Sequence, residues 1–333
     1  MHLNNLKSGL ISISVIITTY NRSILAKRAI QSVLNQTYKP IEIIIIEDAS
    51  ESDLEEWISD VKDFEIKYIK NIENVGLAAS RNIGLNKSKC EYVSYLDDDD
   101  VWLPNKLEEQ IKVLISLSDY EKSVLGCVQV GHMILNQNNS LIGIGLPINK
   151  GNIKRSIINY GVHTFSSSFF FNRNIMIKIG GFDEKLVSGI DDDIWMNLAQ
   201  NDYHNFVVNK PLVIVYKDTR QSMMSNTDKR ITGILKYIEK WSPIYQDWYG
   251  EKPGKIMIDK YFITVIGALA SEKLINRHWH DFYMAISVML KKTNLNYRLF
   301  FYSIYCIFRP FLSSVFPIFG KIKRSINSKN YKK

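Results

Sequence analysis

Hydrophobic and polar positions alternate along the first two-thirds of the chain in blocks that predict strands and helices in turn. Short runs of β-branched residues are typical of strands covered on both faces of a parallel sheet, and apolar positions three and four apart are typical of helices. Strand patterns cover 13–17, 41–46, 65–69 and 92–96, and helix patterns cover 23–34, 54–58, 77–85 and 103–117. Four strand–helix repeats predict a doubly wound α/β sheet.

The pattern changes after about residue 127. Apolar segments 128–135 and 141–146 flank a polar stretch, which predicts a β-hairpin, and 165–171 and 206–215 predict two more strands. The triplet Asp191-Asp192-Asp193 opens a helix pattern, and from Ile231 onward the signal is helical. The fold class expected is α/β, a mixed sheet flanked by helices, followed by a C-terminal helical extension.

Polar segments follow all four predicted parallel strands, at 18–22, 47–48, 71–76 and 97–100. In doubly wound sheets, ligands bind beyond the carboxyl ends of the strands, so these segments predict a binding site. No GxGxxG follows the first strand and no GxxxxGK[ST] occurs in the chain, which disfavours a dinucleotide dehydrogenase and a P-loop enzyme.

Four consecutive carboxylates, Asp97 to Asp100, end the fourth predicted strand. Mutual repulsion raises the pKa values of such groups, and a divalent cation with a preference for oxygen is the simplest partner. The alternative is a solvated acidic turn before a helix, since Pro104 fits the first turn of a helix. The triplet at Asp191 has an alternative too, because carboxylates stabilise a helix N-terminus through its dipole.

Composition and cysteines indicate an ordinary globular protein of a reducing compartment. The chain has 333 residues, of which 46% are hydrophobic and 23% are charged. Its three cysteines, Cys90, Cys127 and Cys306, show neither metal-ligand spacing nor a disulfide framework. Residues 1–12 lack the apolar core of a secretory signal, so a cytoplasmic location is expected.

The net charge of +8 is concentrated near the C-terminus. The last acidic residue is Asp281, and ten Lys and Arg follow it, which leaves the preceding residues at a net charge of −2. The apolar runs 299–308 and 311–319 are separated by Arg309-Pro310, and each is shorter than a bilayer crossing needs. We therefore expect an interfacial or re-entrant segment on anionic lipid, with a buried helix and a disordered basic end as the alternative. Nucleic acid is not expected as a partner, because no binding motif accompanies the charge.

Several motifs in fixed order resemble the family-2 glycosyltransferases, a large group with the GT-A fold. The resemblance covers about residues 12 to 217. It is carried by the segments 15–22 (VIITTYNR), 29–37 (AIQSVLNQT), 46–50 (IEDAS), 74–82 (NVGLAASRN), 95–104 (YLDDDDVWLP), 181–184 (GFDE) and the acidic helix start at Asp191.

The resemblance implies roles for individual residues. Asp99, with Asp97, would bind Mn²⁺ or Mg²⁺ on the diphosphate of the donor, and Asp48 would contact the nucleobase. Asp191 matches the catalytic base, but Ile190 stands where the family usually has Glu, so Asp192 remains an alternative base. The residues expected to contact the nucleotide sugar are Thr19, Tyr20, Asn21, Arg22, Asp48, Asn74, Gly76, Arg81, Asp97 and Asp98.

The expected activity is that of a metal-dependent inverting glycosyltransferase, because a lone base opposite the leaving group implies single displacement. A UDP-sugar donor and a saccharide or polyprenyl-linked saccharide acceptor are implied, in bacterial O-antigen or capsule synthesis at the inner face of the cell membrane. The alternatives are a non-catalytic nucleotide-sugar-binding or membrane-scaffold protein with the same fold, and another metal-dependent phosphoryl-transfer enzyme, whose nucleophile motif is missing.

The domain prediction divides the chain into three parts. Residues 1–225 would form the GT-A catalytic domain, with a nucleotide-binding half at about 12–117 and an acceptor half at about 118–225. Residues 226–294 would form a helical extension, and 295–333 a tail that associates with an anionic membrane surface.

Overall fold

A computed structural model of the protein describes residues 11–162, 164–216, 226–293 and 297–315. The chain divides into two compact units, Met1–Ser222 and Met223–Lys333. The predicted domain boundary at 225 and the tail residues 295–296 and 316–333 lie outside the described residues. These domain limits therefore stay predictions.

Unit 1 is a mixed sheet flanked by helices, as the sequence pattern predicts. Its strands are β1 Ile13–Thr19, β2 Glu42–Glu47, β3 Glu65–Lys70, β4 Tyr92–Asp97, β5 Asp100–Trp102, β6 Leu125–Leu135, β7 Leu141–Gly145, β8 Gly151–Asn152, β9 Phe169–Asn172 and β10 His204–Tyr216. Its helices are α1 Ser23–Leu34, α2 Leu54–Ser59, α3 Leu77–Lys87, α4 Lys106–Ser116, α5 Asp119–Ser123, α6 Ile153–Tyr160, α7 Arg173–Lys178 and α8 Ile190–Gln200.

The strands lie in the order β3-β2-β1-β4-β9-β6-β10-β5, with β7 paired to β6 and β8 to β10. The first four strands along the chain are parallel to one another, because a helix connects each to the next. Strand β9 runs antiparallel to β4 and β6, which makes the sheet mixed. The predicted hairpin is present as the antiparallel pair β6 and β7.

Burial on both faces of the central strands explains their apolar sequences. Every residue of β1 and β2 is buried. An apolar cluster of this unit packs β1, β2, β4 and β6 against α1 and α4, and includes Val15, Ile30, Ile45, Leu107 and Val128. Such continuous burial is the reason that these strands show no polar alternation.

Most elements begin or end within three residues of their predicted bounds, and three differences from the sequence prediction have a cause in distant contacts or helix packing. Helix α4 begins at Lys106 rather than at 103, because Asp100–Trp102 pairs with β10 and the Leu103 amide donates to the Leu212 carbonyl. The strand predicted at 165–171 is a 3₁₀ turn, Ser166–Ser168, followed by β9.

The third difference lies in the tail, where one helix runs from Tyr297 to Val315 through Arg309-Pro310 without ending there. Proline removes one helical hydrogen bond and favours a kink, but neighbouring turns can carry the helix past it.

Unit 2 consists of helices, as expected for the C-terminal extension. They are α9 Thr227–Tyr249, α10 Glu251–Ile275, α11 Trp279–Lys292 and α12 Tyr297–Val315. Helix α10 packs against the other three, and the unit has its own apolar core, which includes Ile234, Ile263, Leu269, Met289 and Ile307. Among the described helices, none combines the length and the apolar character that crossing a bilayer requires.

Candidate active site

The candidate site lies at the carboxyl ends of the four parallel strands. In the sheet register, Thr18 on β1 pairs with Asp97 on β4, Thr19 with Glu47 on β2, and Glu47 with Lys70 on β3. The strands therefore end at the same level, and the loops that follow them meet at one edge. This is the edge where doubly wound sheets bind ligands.

Asp48 follows β2 and organises the loop after β3. Its carboxylate accepts hydrogen bonds from the backbone amides of Val75 and Gly76 and from the Asn71 side chain, each at 2.9 Å. Gly76 has a φ of +86°, a conformation that a residue with a Cβ rarely adopts. The buried Asp48 thus holds the 71–76 loop against the sheet, with Asn74 exposed on that loop.

The loop after β1 joins the first run of acids. The Thr19 hydroxyl donates to Asp98 at 2.8 Å, and Arg22 Nη1 lies 3.0 Å from both Asp98 Oδ1 and Asp99 Oδ2. Between them, Asn21 has a φ of 56°, a left-handed conformation that asparagine tolerates, and Tyr20 is exposed. The four residues predicted to surround the nucleotide thus include two that hold the acidic run.

The four consecutive acids have different surroundings. Asp98 and Asp100 are buried, whereas the side chains of Asp97 and Asp99 are 29% and 44% exposed. Burial, more than the neighbouring carboxylates, raises the pKa values of Asp97 and Asp100, and it raises the pKa of Asp98 to about 6 against the opposing effect of Arg22. The predicted direction of these shifts is confirmed, but desolvation rather than repulsion is the larger cause.

Two further groups support the turn that carries these acids. Arg28 on α1 donates to the Asp99 carbonyl at 2.8 Å and stacks over the Tyr216 ring. The Ser167 hydroxyl donates to Asp100 at 2.6 Å and accepts from the Asp97 amide at 3.1 Å. The sequence assigns no role to Arg28, and for 166–168 it predicts either acceptor contacts or a turn, not a hydrogen bond to the acidic run, because neither residue lies in one of the recognisable motifs.

Arg81 links the two acidic groups. One terminal nitrogen, Nη2, lies 2.5 Å from Asp97 Oδ1, and the other, Nη1, lies 2.7 Å from Asp191 Oδ1. The residue is only 1% exposed, and although burial would lower its pKa, the two carboxylates outweigh that effect and raise it. A permanently cationic guanidinium therefore holds Asp97 and Asp191, which are far apart in sequence, at one place.

Asp191 stands in the first turn of α8 and is held through one oxygen. Its Oδ1 accepts hydrogen bonds from Arg81 and from the Ser166 hydroxyl. Among the described residues, none donates to Oδ2, and the side chain is 29% exposed. Asp191 is thus oriented by two donors and keeps one oxygen for a ligand. Its neighbour Asp192 accepts a hydrogen bond from Thr164 instead.

The structure brings most of the predicted residues together, through three direct networks. Asp48 holds Gly76, Arg22 and Thr19 hold Asp98 and Asp99, and Arg81 holds Asp97 and Asp191. Tyr20, Asn21 and Asn74 are exposed in the loops at the same strand ends, and none of the hydrogen bonds of these described acids involves their side chains.

The exposed acids of the site determine how a divalent cation could be held there. The part of the chain that the structure describes has no group of three or more His, Cys, Asp or Glu side chains arranged to hold a metal ion. The half-exposed Asp97 and Asp99 offer hard oxygen ligands. Magnesium is usually bound by one or two carboxylates together with phosphates of the substrate, so this donor set fits a metal that binds with a diphosphate.

Comparison with known proteins identifies the family of the chain. The family model described as Glycosyl transferase family 2 matches residues 14–180, half of the chain. The match contains the strand-end loops and the Asp97–Asp99 run, and it ends before Asp191.

Curated relatives are named as glycosyltransferases. An uncharacterized glycosyltransferase of Rickettsia conorii is 34% identical over 191 residues, which are 56% of this chain and 31% of that protein. The chain therefore spans about a third of the length of this relative. WcaA of Escherichia coli strain K12, named as a candidate glycosyl transferase of colanic acid biosynthesis, is 28% identical over 68% of this chain and 80% of its own. A β-1,3-glucosyltransferase of Escherichia coli, WfaP, is 40% identical over 32% of this chain and 45% of its own.

A solved structure supports the fold. Staphylococcus aureus TarS, residues 1–349, crystallised with UDP-GlcNAc, has a TM-score of 0.55 over 83% of this chain and 89% of its own, at 16% identity. The shared architecture is the GT-A type, a mixed sheet flanked by helices. Given the family match over half its length, this chain is a member of glycosyl transferase family 2.

Proposed function

We propose that the protein transfers a sugar, with inversion, from a nucleotide diphosphate donor to a saccharide or lipid-linked saccharide. One observation carries this proposal, the sharing of Arg81 between Asp97 and Asp191. Sugar transfer needs a group that stabilises the departing diphosphate and, beside it, a base for the incoming hydroxyl. Asp97 and Asp191 bind the two terminal nitrogens of the same guanidinium, so the diphosphate site and the base would lie next to each other.

The donor would occupy the edge formed by the strand-end loops. Tyr20 offers an exposed aromatic face to a base, and the 71–76 loop, held by Asp48, offers polar groups beside it. Asp48 Oδ1 already accepts two hydrogen bonds from the loop, whereas Oδ2 accepts one and has a further lone pair that can accept from the N–H of a uracil ring. Support for a uridine nucleotide comes from WfaP and TarS, whose names give UDP-glucose and UDP-GlcNAc.

A divalent cation, Mn²⁺ or Mg²⁺, would be held by Asp99 and Asp97. When bound, it supplies a Lewis acid for the negative charge that grows on the departing diphosphate. In the structure Arg22 holds Asp99 at 3.0 Å, so the arginine and the cation would compete for the same carboxylate. Asp98 is buried and accepts a hydrogen bond from Thr19, so it would support the loop beside the ribose and would not bind the cation.

Asp191 would act as the catalytic base. Arg81 and Ser166 fix Oδ1, and the remaining oxygen can accept the proton of the acceptor hydroxyl as it attacks the anomeric carbon. A single base without a protein nucleophile gives one displacement, so an α-linked donor would yield a β-linkage. Asp192 is the alternative base, held by Thr164.

The names of two relatives and the charge distribution support one acceptor class. WfaP is named as acting on an N-acetylglucosamine diphosphoundecaprenol, and WcaA is named for the polysaccharide colanic acid. A polyprenyl-linked saccharide in surface-polysaccharide synthesis is therefore the proposed acceptor. The basic region 295–333 supports a position at the inner, cytoplasmic face of the membrane.

A screen of nucleotide sugars for transfer and for slow hydrolysis tests the function, with Asp191→Asn as the diagnostic variant. Loss of the base should lower turnover by roughly 10²- to 10⁴-fold while UDP affinity changes little. Asp192→Asn is the matched control, with turnover close to that of the natural protein. The reverse ranking of the two variants would assign the base to Asp192, and UDP binding without turnover of any sugar would favour a non-catalytic protein.

The metal role is tested by UDP binding with and without Mn²⁺. Asp99→Ala should remove the metal-dependent part of the affinity, because a carboxylate ligand is lost from the cation. Asp53→Ala, which removes an exposed acid paired with Lys27, is the control. UDP affinity that responds neither to a chelator nor to Asp99→Ala would contradict the proposed site.

A further inference from the structure

Helix α12 has two apolar faces. Leu299, Cys306 and Ile307 point into the core of unit 2, where the Cβ of a residue larger than glycine at 267 would lie 2.7 Å from Cys306 Cβ. The helix therefore packs directly against α10 along one side. Such close packing fixes which side of α12 remains outside the core.

The opposite side of α12 is exposed and apolar. Its members are between 39% and 66% exposed and follow one another at helical spacing; they are Phe300, Phe301, Ile304, Tyr305 and Phe308. We call these five residues the outer face of α12. A contiguous aromatic surface of this kind is unfavourable in water and marks an interaction site.

The charge of α12 and of the sequence that follows it favours an anionic partner. Arg298 and Arg309 are exposed at the two ends of this stretch. From residue 282 to the C-terminus the chain has ten Lys and Arg and no acid. A second copy of the chain would bring the same positive charge to the contact and would be repelled, whereas an anionic lipid surface attracts it.

We propose that the outer face of α12 binds an anionic bilayer, with the helix lying in the plane of the headgroups. Because its other side is packed in the core of unit 2, lipid cannot surround α12, so it would neither span the membrane nor enter it as a re-entrant segment. The aromatic side chains enter the acyl boundary while the flanking arginines remain at the phosphates. This inference assigns the proposed membrane position to one face of unit 2, and vesicle binding by that face does not depend on the proposed transfer chemistry.

Vesicle flotation of the full chain, without substrates, tests the inference. The natural protein should float with phosphatidylcholine vesicles that contain one-third phosphatidylglycerol, and more weakly with phosphatidylcholine alone. The double variant Phe301→Glu, Phe308→Glu should bind the anionic vesicles about tenfold or more weakly, because two apolar contacts are lost and two like charges are added. Tyr120→Glu, a substitution at a 68% exposed aromatic residue of unit 1, is the matched control and should bind as the natural protein does.

Thermal melting and donor hydrolysis of the same variants separate a docking defect from misfolding, since both should be unchanged. If the double variant fails to fold, the milder Phe301→Ser should still weaken flotation. Equal flotation of the natural protein and the folded variants would overturn the inference. A natural dimer that the outer-face substitutions dissociate, with vesicle binding unaffected, would also overturn it and assign the face to a second copy.

Discussion

At the scale of single residues, the site depends on a buried arginine that carries two carboxylates. A guanidinium that is 1% exposed is stable only when its charge is matched, and Asp97 and Asp191 supply that match from different parts of the chain. The same contacts orient the carboxylate that we propose as the base. The contacts that balance the charge of Arg81 are therefore the same contacts that position Asp97 and Asp191.

Ser166 is predicted to position Asp191. Its hydroxyl and Arg81 are the two donors on Asp191 Oδ1, so Ser166→Ala leaves the carboxylate freer to rotate. Loss of one hydrogen bond of this kind should lower kcat by roughly three- to tenfold, with KM for the donor nearly unchanged. Steady-state kinetics measures kcat and KM separately, and Ser166→Thr, which keeps the hydroxyl, should restore most of the lost kcat.

The matched control for Ser166 is Thr164→Val, which removes the hydroxyl that donates to Asp192. If Asp191 is the base, this variant should keep its kcat. A fall in kcat for Thr164→Val and none for Ser166→Ala would make Asp192 the base.

At the scale of elements, close packing places the site residues. Helix α3 lies so near β1 that a Cβ on Gly84 would collide with the Ile16 side chain. Arg81, one turn earlier on the same helix, is therefore held at the carboxyl ends of the strands. At the opposite end of the sheet, the buried Glu42 of β2 joins three strands and a loop.

Glu42→Gln is predicted to destabilise unit 1. The Glu42 carboxylate accepts hydrogen bonds from Lys67 Nζ at 2.5 Å, Ser14 Oγ at 2.7 Å and the Lys89 amide at 2.6 Å. Glutamine would remove the negative charge 2.5 Å from Lys67 Nζ, and its NH₂ group would face one of the three donors that the carboxylate now accepts from. The free energy of unfolding should fall by about 1–3 kcal/mol in urea denaturation. Glu65→Gln, an exposed acid 4.0 Å from Lys67, should change it by less than ~0.5 kcal/mol.

The same carboxylate predicts a pH dependence of stability. Burial would raise the pKa of Glu42, but the hydrogen bonds from Lys67, Ser14 and Lys89 outweigh it and lower the pKa below its ordinary 4.5. The unfolded chain therefore takes up this proton first, and the stabilisation by Glu42 is present above pH 4.5 and lost as the pH falls through the folded pKa. Unfolding free energies measured at descending pH should fall less steeply in Glu42→Gln than in the natural protein. Parallel curves for the two proteins would contradict this account.

At the scale of the whole molecule, the two units have separate hydrophobic cores. Unit 1 is built on the sheet and carries the candidate active site, whereas unit 2 is helical and carries the outer face of α12. Among the described residues, the cluster of the sheet contains residues of unit 1 and the helical cluster contains residues of unit 2. We therefore expect each unit to respond to core substitutions on its own.

Ile263→Ala tests this separation. Ile263 is fully buried in the core of unit 2, and its truncation should cost about 2–5 kcal/mol there. Hydrogen exchange should become faster in α9 to α11 and stay unchanged in β1 to β4, with UDP affinity unaffected. Ile256→Ala, on an exposed position of α10, is the control and should change neither region. Faster exchange in both units would show that the two cores unfold together.

Local patterns in the sequence determined the elements, the fold class and the position of the acidic clusters. A continuous β-branched run such as Ile43–Ile46 favours a strand buried on both faces, whatever its neighbours are. Asp97 ends one such strand and Asp48 follows another, so the position of each acid follows from the strand beside it. Boundaries were less predictable where distant segments pair, as at Asp100–Trp102, which becomes a strand through its contact with β10.

Only the tertiary structure decided which side chains meet. Arg81 matched a nucleotide-binding motif in the sequence, and nothing in that motif indicates that both of its terminal nitrogens engage acids 16 and 110 residues away. Likewise the apolar run near the C-terminus could be read as lipid-bound or buried, and packing against α10 divides it into an inner and an outer face. Such contacts depend on strand order and helix packing, which bring together residues that local periodicity treats as independent.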